Sequence, residues 1–490
     1  MEITNWILKL FQSGLGNLAA YLAAHVLLCL LPAFFIAGGM AALIPKESVT
    51  RFLGRKTPKF ISYPAAALAG SLLAVCSCTI VPLFAGIYKK GAGLGPAITF
   101  LFFAPAANIL ALAYTGVAIG ADLAFARLFL SLAFGIGIGL IMALIFSKSD
   151  ERHDQETDDL FVGKKSMRRG LFIFMLLLAA LLIAGTLKVD LFTNTYASVT
   201  LSISGMDKFQ NWLYQLIPFD ASKGEEGVSA QGAILIGLLV LIGITAWRGF
   251  EKIFEGFNGW VWISLGLIAL TLITAAFKIT PLAAGLQIDF TGRMIGIVIL
   301  LITTGLVIRY QFTKNELRDW LWETWRFVKQ IFPLLILGVF TVGIIRQLIR
   351  PEWIESLAGQ NTVLGNLVGV IFGVFMYFPT LVEVPIAKMF LGLGMHRGPL
   401  LAYLMADPEL SLQSILILAT IIGKKKAWTY VGWVALFSTL AGLIYGAWVD
   451  GASAGLLILY ILGILGVLAL SLWLVSRKNN KLIKKPEKSV

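Results

Sequence analysis

Apolar residues arrive along this chain in long runs, each about the 20 residues a helix needs to cross a bilayer, with short polar breaks between them. Residues 1–18 are mildly amphipathic and predict an interfacial stretch or the start of a long first helix. Clear spans follow at 21–44, 63–88, 95–118 and 121–146. Four more are predicted at 170–188, 231–247, 259–277 and 292–310. A further group covers 326–448, and a last span, 453–475, leads into a basic tail. Two of the early spans are interrupted, one by CSCTIVP at 76–82 and one by Ala104-Pro105-Ala106. The fold class this predicts is an all-α polytopic membrane protein with broken helices.

The interruptions occur twice. Residues 81–105 (VPLFAGIYKKGAGLGPAITFLFFAP) and 384–408 (VPIAKMFLGLGMHRGPLLAYLMADP) align without a gap at an offset of 303. Pro82, Pro96 and Pro105 fall on Pro385, Pro399 and Pro408. Gly70 and Gly139, outside the window, fall on Gly373 and Gly442. Proline inside a core helix removes a hydrogen bond and clashes with the preceding turn. In a membrane such breaks are tolerated where the backbone lines a cavity within the protein. Matched, interrupted apolar segments in two halves of a chain point to the binding site of a transporter.

Charge sets the topology. The loops 45–62 and 148–169 are both basic, the second with six Lys or Arg, so both are expected in the cytoplasm. Three full crossings between them would put them on opposite sides. The conflict disappears if 63–88 enters and leaves on one face, with its tip near Cys76-Ser77-Cys78. Its counterpart, 364–391, then enters from the other face, and the copies form an inverted repeat. The expected organisation is a first transport repeat at 1–147, a charged cytoplasmic loop at 148–169 and an inserted block at 170–325. The block has about four spans and an extracytoplasmic loop at 190–230. A second repeat follows at 326–448, then a last helix and tail at 449–490. Only 14% of the residues are charged and 58% are hydrophobic, which excludes an ordinary soluble protein. The net charge of +13 sits in short loops and the tail, so lipid headgroups rather than nucleic acid are its expected partners. Residues 1–20 lack the pattern of a cleavable signal. A multi-pass protein of the cell's inner membrane is expected.

Thiolates are soft ligands, and Cys76 and Cys78 can present two sulfurs to one small centre if the backbone is extended there. On a continuous helix the pair would point about 200° apart. His25 and Cys29 share a helix face and are a second, weaker metal-ligand candidate. Ser77, Asn108, Pro379 and Thr380, with Pro82 and Pro105, are placed to line a path or satisfy broken backbone. In the second copy, Glu383 lies near the tip and Asp407 and Glu409 flank Pro408. Carboxylates inside membrane spans are costly and are candidates for coupling to protons. Asp407 and Glu409 are expected to lie close enough to share one proton, and helix capping is compatible with that role. Arg127 could pair with an acidic group, and snorkelling to the interface is the favoured reading. Residues 150–159 read as a solvated loop, and His153 and His396 as poor metal candidates. Three cysteines do not make a disulfide framework. The absence of a P-loop lysine motif argues against pumping driven by ATP in this chain. Neither an enzyme nor a bound cofactor is expected.

The stretch CSCTIVPLFAGIYKKGAGLGPAITFLFFAPAANILAL strongly resembles the ArsP-type permease family. The resemblance is dense over 60–146, weaker over 326–448 and absent from 170–310. Its carriers are Cys76 and Cys78 before Pro82, the stretch Gly95 to Leu101, and Pro105 to Asn108. It implies efflux of trivalent organoarsenicals with the cysteines as arsenic-binding groups; other relatives are regarded as copper or zinc exporters. The extra spans and the 190–230 loop depart from the compact arsenical exporters and leave the substrate open. A proton-coupled exporter of a soft, thiophilic species is the favoured reading. A membrane thiol oxidoreductase using Cys76 and Cys78 and a channel or importer for a sulfur-containing anion are the alternatives. Oligomeric state stays open, a homo-oligomer included.

Overall fold

The computed structural model describes residues 2–24, 28, 30–72, 77–160, 168–186, 190–202, 205–217, 227–282, 285–348, 352–375 and 380–453, and from 455 to 470 only scattered positions. The expected span at 21–44 is divided. A long lead-in helix α1 (Glu2–Ala24) runs into its first residues, and α2 (Leu31–Ala42) forms its second part. The first copy continues with α3 (Lys46–Leu53), α4 (Lys59–Leu72), α5 (Ser77–Lys89), α6 (Leu94–Ala106), α7 (Ile109–Ala118), α8 (Ala121–Ile145) and α9 (Ser147–Leu160).

The ends of the α4–α5 segment are tied together. The Gly93 N–H donates to the Leu53 carbonyl at 2.8 Å, and Gly54 pairs with Ala92. A crossing segment would hold its ends about 30 Å apart. The segment therefore enters and leaves on one face, as the charge pattern requires. That face carries the basic residues. The end of α8 also lies there, because α9 docks on it: Arg55 meets Glu151 at 3.5 Å and Lys56 meets Asp154 at 3.7 Å. The expected solvated loop at 150–159 is thus a helix. Asp150 is buried and accepts a hydrogen bond from the Leu94 N–H at 2.9 Å, at the start of α6. The sequence reading missed this because Asp150 serves a helix start 56 residues away.

The inserted block holds α10 (Arg169–Thr186), α11 (Asp190–Thr193), β1 (Thr195–Leu201), α12 (Met206–Leu216), α13 (Ala230–Phe250), α14 (Gly259–Ala276), β2 (Lys278–Leu282), β3 (Gly285–Thr291) and α15 (Gly292–Gln311). Its four apolar helices match the four expected spans. Three start on a capping side chain: Ser229, Asn258 and Thr291 accept the N–H of Gly232, Val261 and Met294. Such caps satisfy orphan donors at helix ends. The strands form a small antiparallel sheet in the order β1-β3-β2, with Thr200 and Thr280 both opposite Gln287. The expected 190–230 loop supplies β1 and α12, so part of it is structured. The sheet escaped prediction because its strands come from two loops nearly 80 residues apart.

The second copy comprises α16 (Lys314–Leu348), α17 (Glu352–Ala358), α18 (Val363–Phe375), α19 (Thr380–Gly392), α20 (Arg397–Leu410), α21 (Leu412–Ile422) and α22 (Lys424–Val449). Shifting the bounds of α5 by 303 gives 380–392, the bounds of α19, and α4, α6, α7 and α8 shift onto α18, α20, α21 and α22 within a residue or so. The ends of the second hairpin are also tied, by the His396 N–H on the Ala358 carbonyl at 2.9 Å. Orientation follows from contacts between the copies. Arg397, at the start of α20, pairs at 3.0 Å with Asp122, at the far end of α8 from the basic face. Lys426, at the start of α22, donates to the Tyr88 hydroxyl at 3.3 Å, on the basic face. The second copy therefore runs in the opposite sense to the first.

The repeat-matched glycines are close-approach positions. A Cβ on Gly139 would lie 2.6 Å from the Gly95 carbonyl, and one on Gly442 2.6 Å from the Gly398 carbonyl. Gly70 and Gly373 likewise sit against the backbone N of Ala104 and Asp407, at 3.0 and 2.8 Å. Among the described residues, seven helices are long and apolar enough to cross a membrane if the broken α6–α7 pair counts as one, or eight if the bent α20–α21 pair is also one span. The two hairpins interlock. The inner arm α5 packs against α21 of the second copy, and α19 packs against α7 of the first.

Candidate functional site

Both broken helices fail at the same place in their copies. Pro105 has no N–H, and α6 ends one residue later. Ala107 leaves the helical region (φ −141°, ψ 36°). Asn108 is extended and restarts the helix, its Oδ1 accepting the Ala111 N–H at 2.8 Å. The break thus falls at 107–108, just past the expected Ala104–Ala106. In the second copy Pro408 precedes Ser411, where the chain bends by 46° between α20 and α21. The Ser411 hydroxyl bonds the Ser414 hydroxyl at 2.7 Å instead of capping α21.

The first break is held by Arg127, which does not snorkel. Its side chain is fully buried. Nε donates to the Ala106 carbonyl at 2.6 Å, Nη1 to Thr115 Oγ1 at 3.2 Å and Nη2 to Glu383 Oε1 at 2.5 Å. One guanidinium therefore joins the end of α6, the helix α7 and the inner arm of the opposite hairpin. The favoured reading of snorkelling fails and the acidic partner holds, because three acceptors converge on this depth of α8, two on the broken helix and one on the other copy. Glu383 is also fully buried, and its Oε2 has no hydrogen-bond partner among the described residues. Such a pair offsets desolvation only when its geometry and extra hydrogen bonds are good, and the planar guanidinium fork meets that need.

The second break repeats the arrangement with different chemistry. Tyr430 is the counterpart of Arg127 at the 303 offset, and Glu409 that of Ala106. The Tyr430 hydroxyl donates to Glu409 Oε2 at 2.6 Å. Glu409 Oε1 faces no partner among the described residues. Ile80 of α5, the counterpart of Glu383, lines a void beside this pair with room for about one water. Val81, Leu101, Leu418 and Ser414 complete its wall. One break thus carries a buried ion pair and the other a buried carboxyl on a neutral phenol. Asp407 is buried in α20 against Gly373 of α18, while Glu409 faces α22. Two residues apart on one helix, they point about 200° from each other. They therefore do not share one environment, contrary to the expectation of a shared proton.

The structure places the remaining candidates unevenly. Pro82 and Pro105 are buried inside α5 and α6. Ser77, Cys78 and Thr380 begin the inner arms α5 and α19, so the backbone at Cys78 is already helical rather than extended. Their side chains, and Cys76, Pro379, His25 and Cys29 entirely, lie outside the described residues. Among the described residues no cluster of three His, Cys, Asp or Glu is placed to hold a metal. His396 caps α20 and bonds Asp450 at 2.9 Å. Sequence reasoning missed Tyr430 and Thr115 and ranked an acidic partner for Arg127 second. The available signal was a lone arginine inside an apolar span whose repeat partner is a tyrosine.

A family model described as a predicted permease matches residues 13–447. The chain is 34% identical over 448 residues to the UPF0718 protein MJ0584 of Methanocaldococcus jannaschii, covering 91% of this chain and 98% of that one. It is 28% identical over 118 residues to the UPF0718 protein YraQ of Escherichia coli, covering 24% and 34% of the two chains. No solved structure matches.

Proposed function

The chain belongs to the predicted permease family, and from that premise we propose that it is a secondary active exporter of a soft, thiophilic substrate. A trivalent organoarsenical comes first and a copper- or zinc-type ion second. The protein works in the cytoplasmic (inner) membrane with its basic face inward. Protons supply the energy. Glu409 carries this reading: a buried carboxyl at a helix break, held by a neutral hydroxyl, beside the inner arm of the opposite hairpin. An unpaired charge is expensive there, so a proton bound and released at Glu409 changes the stability of one arrangement relative to another. Tyr430 orients the carboxyl in either state. Arg127 and Glu383 perform the matching task at the other break, and protonation of Glu383 frees the guanidinium from the opposite hairpin. Asp407 is a further coupling candidate on the α18 side of α20. The substrate site is formed by Cys76 and Cys78 at the first tip, near Pro379 and Thr380 of the second. Phe84 and Phe102, both buried, suit an organic substituent better than a hydrated ion.

Resistance of a sensitive bacterial host to arsenicals, antimony, copper and zinc on expression tests the substrate. Cys76→Ser and Cys78→Ser each lose arsenical resistance, and Cys29→Ser keeps most of it. Full resistance in the Cys76→Ser, Cys78→Ser double variant at equal expression would show that the thiols only pack and that the substrate is not thiophilic.

A further inference from the structure

On the basic face a cavity of about 470 Å³ opens between the two copies. Four cations from four elements converge on it: Lys89 of α5, Arg152 of α9, Arg326 of α16 and Lys426 of α22. No carboxylate is among its lining residues. The carboxylates nearby are engaged: Glu151 and Asp154 meet Arg55 and Lys56. Glu323 pairs with Lys89 and lies 3.8 Å from Arg326, and Asp150 is engaged by the Leu94 N–H. The wall is built rather than loose. The His153 ring stacks on Tyr88 at 4.1 Å between centroids and 9° between planes, and its Nε2 lies 2.8 Å from the Tyr88 carbonyl oxygen. Beside Lys426, Gly423 (φ 90°) precedes α22, and among the described residues no side chain caps that helix start, which leaves its first N–H groups to an anion. Residues snorkelling to headgroups would spread around the rim. Here they line one concave space, where Glu323 offsets part of the charge of Lys89 and Arg326 and the surplus focuses an anion.

We propose that this cavity is an anion-binding site for a group of the phosphate, sulfate or carboxylate type. Its position deepens the transport reading, on which this step rests. The cavity and the void at Glu409 share α5, α21 and α22, and along each they are about one turn apart: Tyr430 lies one turn from Lys426, and Leu418 one turn from Ile422. The site therefore receives the anionic part of a substrate approaching from the basic face, such as a thiol conjugate bearing carboxylates, before the thiophilic centre moves inward.

Calorimetric titration of sodium sulfate into the full chain in phosphatidylcholine nanodiscs, at constant ionic strength, tests the site without any transport readout. Saturable binding is expected, weaker by about tenfold or more when two charge-assisted donors are lost in Arg152→Gln, Lys426→Gln. Lys208→Gln on the opposite face should bind as the parent does, and unchanged unfolding temperatures show that the variants are folded. Nanodiscs containing phosphatidylglycerol separate the sources of the anion. Weakened sulfate binding there supports the site with lipid phosphate as an occupant, and unchanged binding supports it with a free or substrate-borne anion. No saturable sulfate binding, or equal binding by the double variant, would overturn the proposal and leave the permease assignment standing.

Discussion

Removing the Arg127 guanidinium is the sharpest perturbation the structure offers. Its three donors meet acceptors on α6, α7 and α19, and both it and Glu383 have fully buried side chains. Arg127→Met keeps much of the volume but leaves Glu383 without its cation and the Ala106 carbonyl without its donor. Breaking a buried pair on one side costs about 3–5 kcal/mol. Glu383→Gln should cost less, because an amide oxygen still accepts from Nη2, and Arg127→Lys should fail to restore stability, because an ammonium lacks the planar fork. The double variant Arg127→Met, Glu383→Met removes both charges and should recover most of the loss, since apolar replacement of a buried pair is often neutral. Equilibrium unfolding in dodecyl maltoside titrated with dodecyl sulfate measures all of these. The expected coupling between the two positions is roughly 2–4 kcal/mol, well outside the ~0.5 kcal/mol of independent sites. Additive single variants, or Arg127→Met at parental stability, would refute the clamp between the copies.

Two further outcomes follow from the basic face. Burial pushes the Asp150 carboxyl up, despite the opposing Leu94 N–H and nearby cations, so it ionises less readily in the folded protein than in the unfolded chain. Its contribution is present at acid pH and is lost as pH rises through its raised folded value. Asp150→Asn should flatten that dependence while keeping the cap. Asp150→Ala should cost about 1–2 kcal/mol by leaving the Leu94 N–H unpaired, as unfolding measured across pH would show. Cysteines placed at Lys56 and at Lys89 should label from the same side of the membrane, and labelling from opposite sides would rule out the re-entrant hairpin.

The architecture was legible because it rests on patterns the chain repeats. Pro82, Pro105 and the glycines at 70 and 139 recur at 385, 408, 373 and 442, and backbone contact explains why the glycines cannot carry a Cβ. The basic loops fixed the re-entrant turn because a bilayer allows only whole crossings or returns. Chemistry at the breaks was less legible. Glu383 and Glu409 stood out as acids in apolar spans, but their partners Arg127 and Tyr430 lie 256 and 21 residues away. Nothing local distinguishes an arginine that reaches the interface from one that three acceptors hold at depth. The same holds for Asp150, whose acidic neighbours read as solvated although its own oxygen caps α6. The small sheet pairs strands from separate loops, and neither loop alone predicts it.

Glu409, on Tyr430, is the proposed carrier of the coupling proton. Proteoliposomes with an imposed pH gradient and a trivalent methylarsenical test it directly. The parent should accumulate the arsenical against its concentration gradient, and Glu409→Gln should equilibrate it without accumulating it. Accumulation by Glu409→Gln equal to that of the parent would rule out Glu409 as the proton carrier.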